Sequence, residues 1–533
     1  MSPINRNRGS LITVASISLL LSVAALIFYY HHGAILLYGD AVAHINIARR
    51  IFDSRTPGLF QLGTVWLPLS HLLDAPFIVN DGMWRTGIGG SIPSMLAYVA
   101  GTLGIFRLVR GLASRLSAWI AAMAYALNPN LLYMQSTAMT EALYLALFIW
   151  TVTFFAEFAR EAKTDSARAS SSLENCALTL CAAMLVRYDA WFLAAAVTAG
   201  TIVVAIRGRQ VSRGFVKDLL KLLILAGLAA SLWLGYNYVA YGNSFEFANG
   251  PYSAHAIQQR SRTPTMPSYP GEKSPRTAAL YFLKLSRLNL GDGRAELWLF
   301  TVAVGAILCA IYFSRQFVPW ILLWTPALFY PLSVSWQSVP IYIPQWWPYS
   351  YYNVRYGLQL LPAVAVFVAL ACEFLSKFIP VRIAATAFII VIAASYASVW
   401  RSTPICLREA RVNGGARLEF DQRLAAELMK LPPSATLMMD GSAHPGAVQC
   451  AGIAFRRVLR ESNPPYWEKA LTEPARSADY VVAIARDDVF RAVRLFPRGL
   501  EPVVRVGTPP GPQAVIYRSL SHAGATIGET SSR

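Results

Sequence analysis

Leu11-Ile12-Thr13-Val14-Ala15-Ser16-Ile17-Ser18-Leu19-Leu20-Leu21-Ser22-Val23-Ala24-Ala25-Leu26-Ile27-Phe28-Tyr29-Tyr30 holds no charged residue, and it is long enough to cross the hydrocarbon of a bilayer as a helix. It follows Met1-Ser2-Pro3-Ile4-Asn5-Arg6-Asn7-Arg8, a basic opening that a cleaved leader would share. The run is long for a leader, and His31, His32 and Tyr38 stand where a small-residue cleavage site would be needed. We read it as a retained first span.

Further segments of the same kind lie near 87–108, 115–131, 139–158, 173–186, 189–206, 218–240, 295–313, 317–334, 357–376 and 381–400. The pair flanking Arg187-Tyr188-Asp189 is shorter than ideal. The expected fold class is a polytopic α-helical membrane protein of about 11 transmembrane helices. Composition agrees: 55% of the 533 residues are hydrophobic and 14% charged, too much apolar surface for the core of a soluble α/β enzyme. The formal charge of +18 does not point to nucleic acid, because Lys and Arg are scattered in short clusters between the apolar runs.

With the basic N-terminus in the cytoplasm, alternation places the short connections 107–115, 159–172, 207–217, 314–316 and 377–382 inside. They carry Arg107, Arg110, Arg160, Arg168, Arg207 and Lys217 among others, as the positive-inside rule requires. Two outward connections, 31–86 and 241–294, are long and mix Gly, Pro, Trp, His and acids. An odd number of spans also sends residues 401–533 outward. The expected division is therefore a transmembrane domain over 1–400 and a soluble extracytoplasmic α/β domain over 401–533. Apolar runs at 435–439, 480–485, 503–506 and 514–517 read as strands, and 417–430 and 464–471 as helices. Cys406 and Cys450 are the only cysteines in that last segment, and an oxidising compartment favours a bond between them.

Candidate chemistry gathers at the outward ends. If 40–50 is helical, Asp40 and His44 share one face; a helix-capping Asp with a solvated His is the bland alternative. Glu141 opens the fourth span, where the helix dipole favours a carboxylate but a buried charge also suggests a cavity or a partner. Arg187 and Asp189 form a ready ion pair in their turn. Glu246 and Tyr252 sit among turn residues and aromatics, and Arg262 and Lys273 follow as bases on the outer side, where orientation does not explain them. An anionic lipid phosphate does. Arg355 and Tyr356 close the aromatic stretch Trp346-Trp347-Pro348-Tyr349-Ser350-Tyr351-Tyr352, where a snorkelling Arg is the competing reading.

In these features the chain resembles the GT-C superfamily of membrane glycosyltransferases, in particular the protein O-mannosyltransferases and lipid A aminoarabinose transferases. The resemblance spans residues 10 to 400. It rests on Gly39-Asp40 with Ala48-Arg49, on Ser136-Thr137-Ala138-Met139-Thr140-Glu141, on Arg187-Tyr188-Asp189, and on Asn353-Val354-Arg355-Tyr356 with Pro362. Two departures stand out: many members carry two adjacent acids where Asp40 is alone, and the second acid, often Asp, is here Glu141.

The resemblance implies a plasma (inner) membrane enzyme that moves a sugar from a polyprenyl-phosphate donor to a lipid, glycan or protein acceptor outside the cytoplasm. Inversion is expected, with Asp40 as general base and Glu141 orienting the acceptor or completing a cation site. Arg355, with Lys273 and Arg262 behind it, would bind the donor phosphate. His44, Tyr356, Glu246, Tyr252, Arg187 and Asp189 complete the expected substrate-binding set. Metal dependence varies across the superfamily; a divalent metal stays open, and Asp40 with His44 is too sparse a set to form a site. A transporter or flippase of a lipid-linked or anionic substrate would also explain the spans, but the chain shows neither repeated halves nor midplane broken helices.

Overall fold

The computed structural model describes residues 3–162, 164–208, 213–261, 267–313, 318–336, 339–464 and 466–521. Arg262 and the expected inward connection 314–316 lie outside the described residues. The chain forms two compact units: Met1–Ile35, Thr64–Ser70 and Ser91–Glu409 in the first, Leu36–Gly63, His71–Gly90 and Ala410–Arg533 in the second.

In the first unit the helix Pro3–His31 shows how a membrane protein turns the usual pattern inside out. Ser10, Val14, Ser18 and Ser22 recur every four residues and are buried. Ile12 and Leu20, by contrast, are 67% and 70% exposed. Small and polar groups let helices approach and hydrogen-bond, while lipid accepts the leucines. Ser22 makes use of this, its hydroxyl donating to Gln135 Oε1 at 2.6 Å.

Among the described residues seven helices are long and apolar enough to cross a membrane, Gly9–His31, Ile88–Arg110, Glu141–Glu161, Asp189–Gly208, Arg213–Tyr241, Val354–Leu375 and Val381–Leu428. The chain is a multi-pass membrane protein. The expected count of eleven is not reached by this measure. The other four segments form the helices Arg115–Ala126, Ser166–Met184 and Trp298–Phe313, and a pair, Val318–Leu322 and Thr325–Trp336. The first stops early for a local reason: Asn128 accepts from the N–H groups of Asn130 and Leu131 and caps a new short helix with Pro129 in its first turn.

The second unit contains a sheet of five strands: β1 (Leu437–Met439), β2 (Val458–Leu459), β3 (Tyr480–Ile484), β4 (Leu500–Val506) and β5 (Ala514–Ser519). Their order across the sheet is β2-β1-β3-β5-β4. The first three pair in parallel and the last two add an antiparallel hairpin. β1 and β2 are wholly buried, as strands covered on both faces should be. Met438, Leu459, Trp467, Val481 and Val489 form their core. The four expected strands are present; β2, only two residues long, is an addition.

Three helices of this unit matter for the first candidate acid: α1 (Gly39–Arg50), which bears Asp40, α2 (Ile405–Leu428), which belongs to this unit from Ala410 onward, and α3 (Pro445–Ala451). Residues that read as a loop between spans are thus packed against the C-terminal sheet domain. Asn46 on α1 donates to Pro445 O and Gln449 Oε1 on α3, each at 3.1 Å, and accepts from Trp84 Nε1 at 2.9 Å. Gln449 Nε2 closes the ring on Trp84 O at 2.8 Å. Arg49 is buried beside it, bound to Asp53 at 3.0 Å and Asp81 at 2.6 Å, its guanidinium 4.6 Å from the Trp84 ring.

The expected Cys406–Cys450 disulfide does not form; both side chains are thiols. Cys406 is fixed in the first turn of α2, its N–H on Asn130 Oδ1 at 3.0 Å and its Sγ 3.5 Å from Asn289 Oδ1. Cys450 is half-buried on α3, where burial pushes its thiol pKa up.

Candidate active site

Glu141 begins the helix Glu141–Glu161 and is fully buried. Its Oε1 accepts from Arg187 Nη1 at 3.2 Å and from Arg355 Nε at 3.1 Å. A carboxylate in such a place needs compensating charge, and the two guanidinium groups provide it. Its Oε2 is equally buried and has no hydrogen-bond partner among the described residues.

Each arginine is held from more than one side. Arg187 reaches Asp189 Oδ1 at 3.1 Å, Thr140 Oγ1 at 3.2 Å and Tyr330 Oη at 3.0 Å, and Tyr330 donates onward to Asp189 Oδ2 at 2.6 Å. Arg355 lies in the tight turn Val354–Leu360, and its Nη1 is 3.9 Å from Glu409 Oε1. That turn is entered through Asn353, whose φ of 56° falls in the left-handed region Asn tolerates, and whose side chain donates to Pro340 O at 2.9 Å. It also depends on Gly357, because a Cβ there would meet Asn289 Nδ2 at 2.4 Å and Leu285 O at 2.7 Å. Both guanidinium groups sit 5.4 Å from the centre of the Tyr356 ring, which attracts each by its cation–π interaction.

Five residues singled out from the sequence therefore meet: Glu141, Arg187, Asp189, Arg355 and Tyr356. Arg355, expected to serve a donor phosphate, is engaged with Glu141. Tyr330 and Glu409 complete the network and carry no distinguishing signal in the sequence. Tyr330 lies in an apolar run, and Glu409 falls in what reads as the start of the polar C-terminal segment. Glu246, Tyr252 and Lys273 lie on other segments of the same unit. Glu246 accepts from Asn243 at 3.0 Å, though its neighbour Phe247 stacks on Tyr188 with ring centres 4.9 Å apart. Tyr252 is 50% exposed, and Lys273 gives its backbone N–H to Ser335 O at 3.0 Å.

In the second unit, α1 places half-buried Asp40 one turn before buried His44. His44 Nδ1 lies 2.8 Å from His71 Nε2. Burial first, then the nearby His44 and Arg50, holds the His71 pKa well below the usual imidazole range. The pair thus shares one N–H between neutral His71 and its neighbour. Among the described residues no three His, Cys, Asp or Glu side chains come together as metal ligands.

No family model matches the chain, and no curated protein matches it. Solved structures do. ArnT from Cupriavidus metallidurans bound to undecaprenyl phosphate superposes with a TM-score of 0.60 at 13% identity, covering 95% of this chain and 98% of that one. The apo state of the same protein gives 0.58 at 12% identity, over 98% and 100%. The chain has the fold of that ArnT.

Proposed function

We propose that this protein is a glycosyltransferase of the plasma (inner) membrane, moving a sugar from a polyprenyl-phosphate-linked donor to an acceptor on the extracytoplasmic side. One observation carries the reading: a buried network of two arginines around Glu141, with one carboxylate oxygen unpaired among the described residues, within a fold shared over 95% of the chain with a protein solved with undecaprenyl phosphate. Membrane proteins keep such charges inside where they serve a substrate.

In this reading the acceptor oxygen attacks the anomeric carbon as the bond to the donor phosphate breaks, and the configuration inverts. Asp40 takes the acceptor proton. The sugar carbon passes through oxocarbenium character, and the electron pair of the broken bond leaves with the lipid phosphate. Arg355 supplies the preorganised cation for that phosphate, turning part of its fork from Glu141, with Lys273 and Arg262 as further phosphate-binding bases. Glu141 Oε2 is an acceptor suited to a sugar or acceptor hydroxyl. Arg187, Asp189, Tyr356 and His44 hold these groups in place, and Glu246 and Tyr252 contribute to substrate binding.

The test is transfer of radiolabel by purified protein in proteoliposomes from a panel of undecaprenyl-phosphate sugars to an extract of envelope glycolipids and proteins. Labelled product from one donor is expected. Movement of the donor between leaflets with no transfer from any of them would replace this reading by that of a flippase.

A further inference from the structure

The first turn of α1 bears Asp40 but has no side-chain cap of its own. It is held from outside, by residues of the C-terminal part of the same compact unit. Arg417 on α2 donates through Nη2 to the carbonyls of Leu36 and Leu37 at 2.8 and 3.2 Å, the two residues leading into the turn. Its Nε is buried with no hydrogen-bond partner among the described residues and faces Gly39, where a Cβ would stand 3.8 Å away. The close approach is built into the sequence. A Cβ at Gly414, one turn before Arg417, would lie 1.8 Å from Leu37 O, so glycine alone allows α2 to reach this segment.

Arg417 is itself fixed. Its Nη1 donates to Asp421 Oδ2 at 2.8 Å, and Asp421 Oδ1 is 2.8 Å from His444 Nδ1. The Asp421 side chain is fully buried, and Gly446 brings the start of α3 against the pair, a Cβ there meeting Asp421 Oδ2 at 2.5 Å. A guanidinium locked on one side by a carboxylate can define the position of whatever its other nitrogens hold, here the backbone immediately before Asp40.

We infer that Arg417 is a positioning residue for Asp40: the C-terminal domain acts in the transfer step by fixing the turn that presents the base. This rests on the reading of Asp40 as general base. Loss of the clasp moves a reacting group without removing it. Misplacement on the order of an ångström costs turnover by up to about 10²-fold and leaves donor recognition intact.

The experiment is a double-mutant cycle on the full-length protein in proteoliposomes, with the undecaprenyl-phosphate sugar found to be transferred. Arg417→Gln is expected to lower kcat about 10- to 100-fold with the donor KM unchanged, and Arg417→Lys, which keeps the charge and one donor, to fall between it and the wild type. In an Asp40→Asn background Arg417→Gln should cost nothing further, because the group it positions has lost its function. A loss that multiplies with that of Asp40→Asn overturns the inference, since Arg417 then acts elsewhere. Wild-type turnover in Arg417→Gln overturns it as well, with the base reading intact if Asp40→Asn is impaired. Wild-type turnover in Asp40→Asn removes the base reading and the inference together. If Arg417→Gln does not yield monodisperse protein, the cycle is run with Arg417→Lys.

Discussion

Arg355 Nε lies 3.1 Å from Glu141 Oε1, although the two residues are 214 positions apart in the chain. That bond ties a tight turn to the head of a helix, and Arg187 shares the same oxygen. Removing the charge of Glu141 leaves two guanidinium groups around a neutral amide. Breaking a buried pair from one side costs about 3–5 kcal/mol, so Glu141→Gln should lower the melting temperature in detergent markedly. The double variant Glu141→Gln with Arg355→Met should recover part of that loss; a melting temperature lower than that of either single change would show the two residues to be uncoupled.

Asp40→Asn keeps the size of the side chain and removes its basicity. Turnover should fall by about 10²–10⁴, while undecaprenyl phosphate binding, followed by isothermal titration, stays near the wild-type value. Arg355→Ala should do the reverse, weakening lipid-phosphate binding by removing a cation from a poorly solvated setting. Equal effects of the two changes on binding would place both residues in the same role.

Asp487 sets a pH dependence in the second unit. Burial, together with the nearby carboxylates of Asp440 and Asp488, pushes its pKa from 3.8 up to about 7, against the N–H groups of Phe490 and Ile484 that favour the anion. A carboxyl raised in the folded state binds its proton more tightly there than when unfolded. Its contribution is therefore greatest below pH 3.8 and is lost as pH rises toward about 7. Asp487→Asn removes the charge and retains an acceptor oxygen for one of the two N–H groups. It should raise the melting temperature at pH 8 and change it little at pH 4; an equal shift at both would assign the effect to packing.

The orientation can be checked with thiol chemistry on intact cells. In a Cys450→Ser background, exposed Thr472→Cys should react with a membrane-impermeant maleimide, and exposed Thr164→Cys only after permeabilisation. The opposite pattern would put the C-terminal domain in the cytoplasm and displace the site with it.

The spans are legible in the sequence because lipid demands a single property over a long stretch, and the strands 480–484 and 514–519 are legible because they are uniformly apolar or alternate cleanly. Glu141, Arg187, Asp189, Arg355 and Tyr356 each stand out as polar groups at the edge of an apolar run. Their meeting is not legible, because it is made by side chains reaching across helices and depends on the turn at Asn353 and the missing Cβ of Gly357. Glu409 and Tyr330 escape notice for the same reason. The cysteine pair misleads because compartment chemistry says which thiols could oxidise and nothing of where Asn130 and Asn289 hold Cys406. The packing of 36–63 and 71–90 against the C-terminal sheet has no periodic signal at all, since it is made through single residues such as Asn46, Gln449 and Gly414.

That second unit is built from pieces of chain made at very different times. Some 320 residues separate Gly90 from Ala410, and at ~5–20 residues per second the ribosome needs tens of seconds to deliver the later piece after the earlier one. Until then Trp84, Asn46 and the carbonyls that lead into α1 lack their partners from α2 and α3. During synthesis the first segment must wait, exposed or chaperoned, for the last to arrive. A chain truncated after its final span would keep every membrane helix and never complete the surroundings of Asp40, so early stop codons should abolish activity while leaving insertion into the bilayer unimpaired.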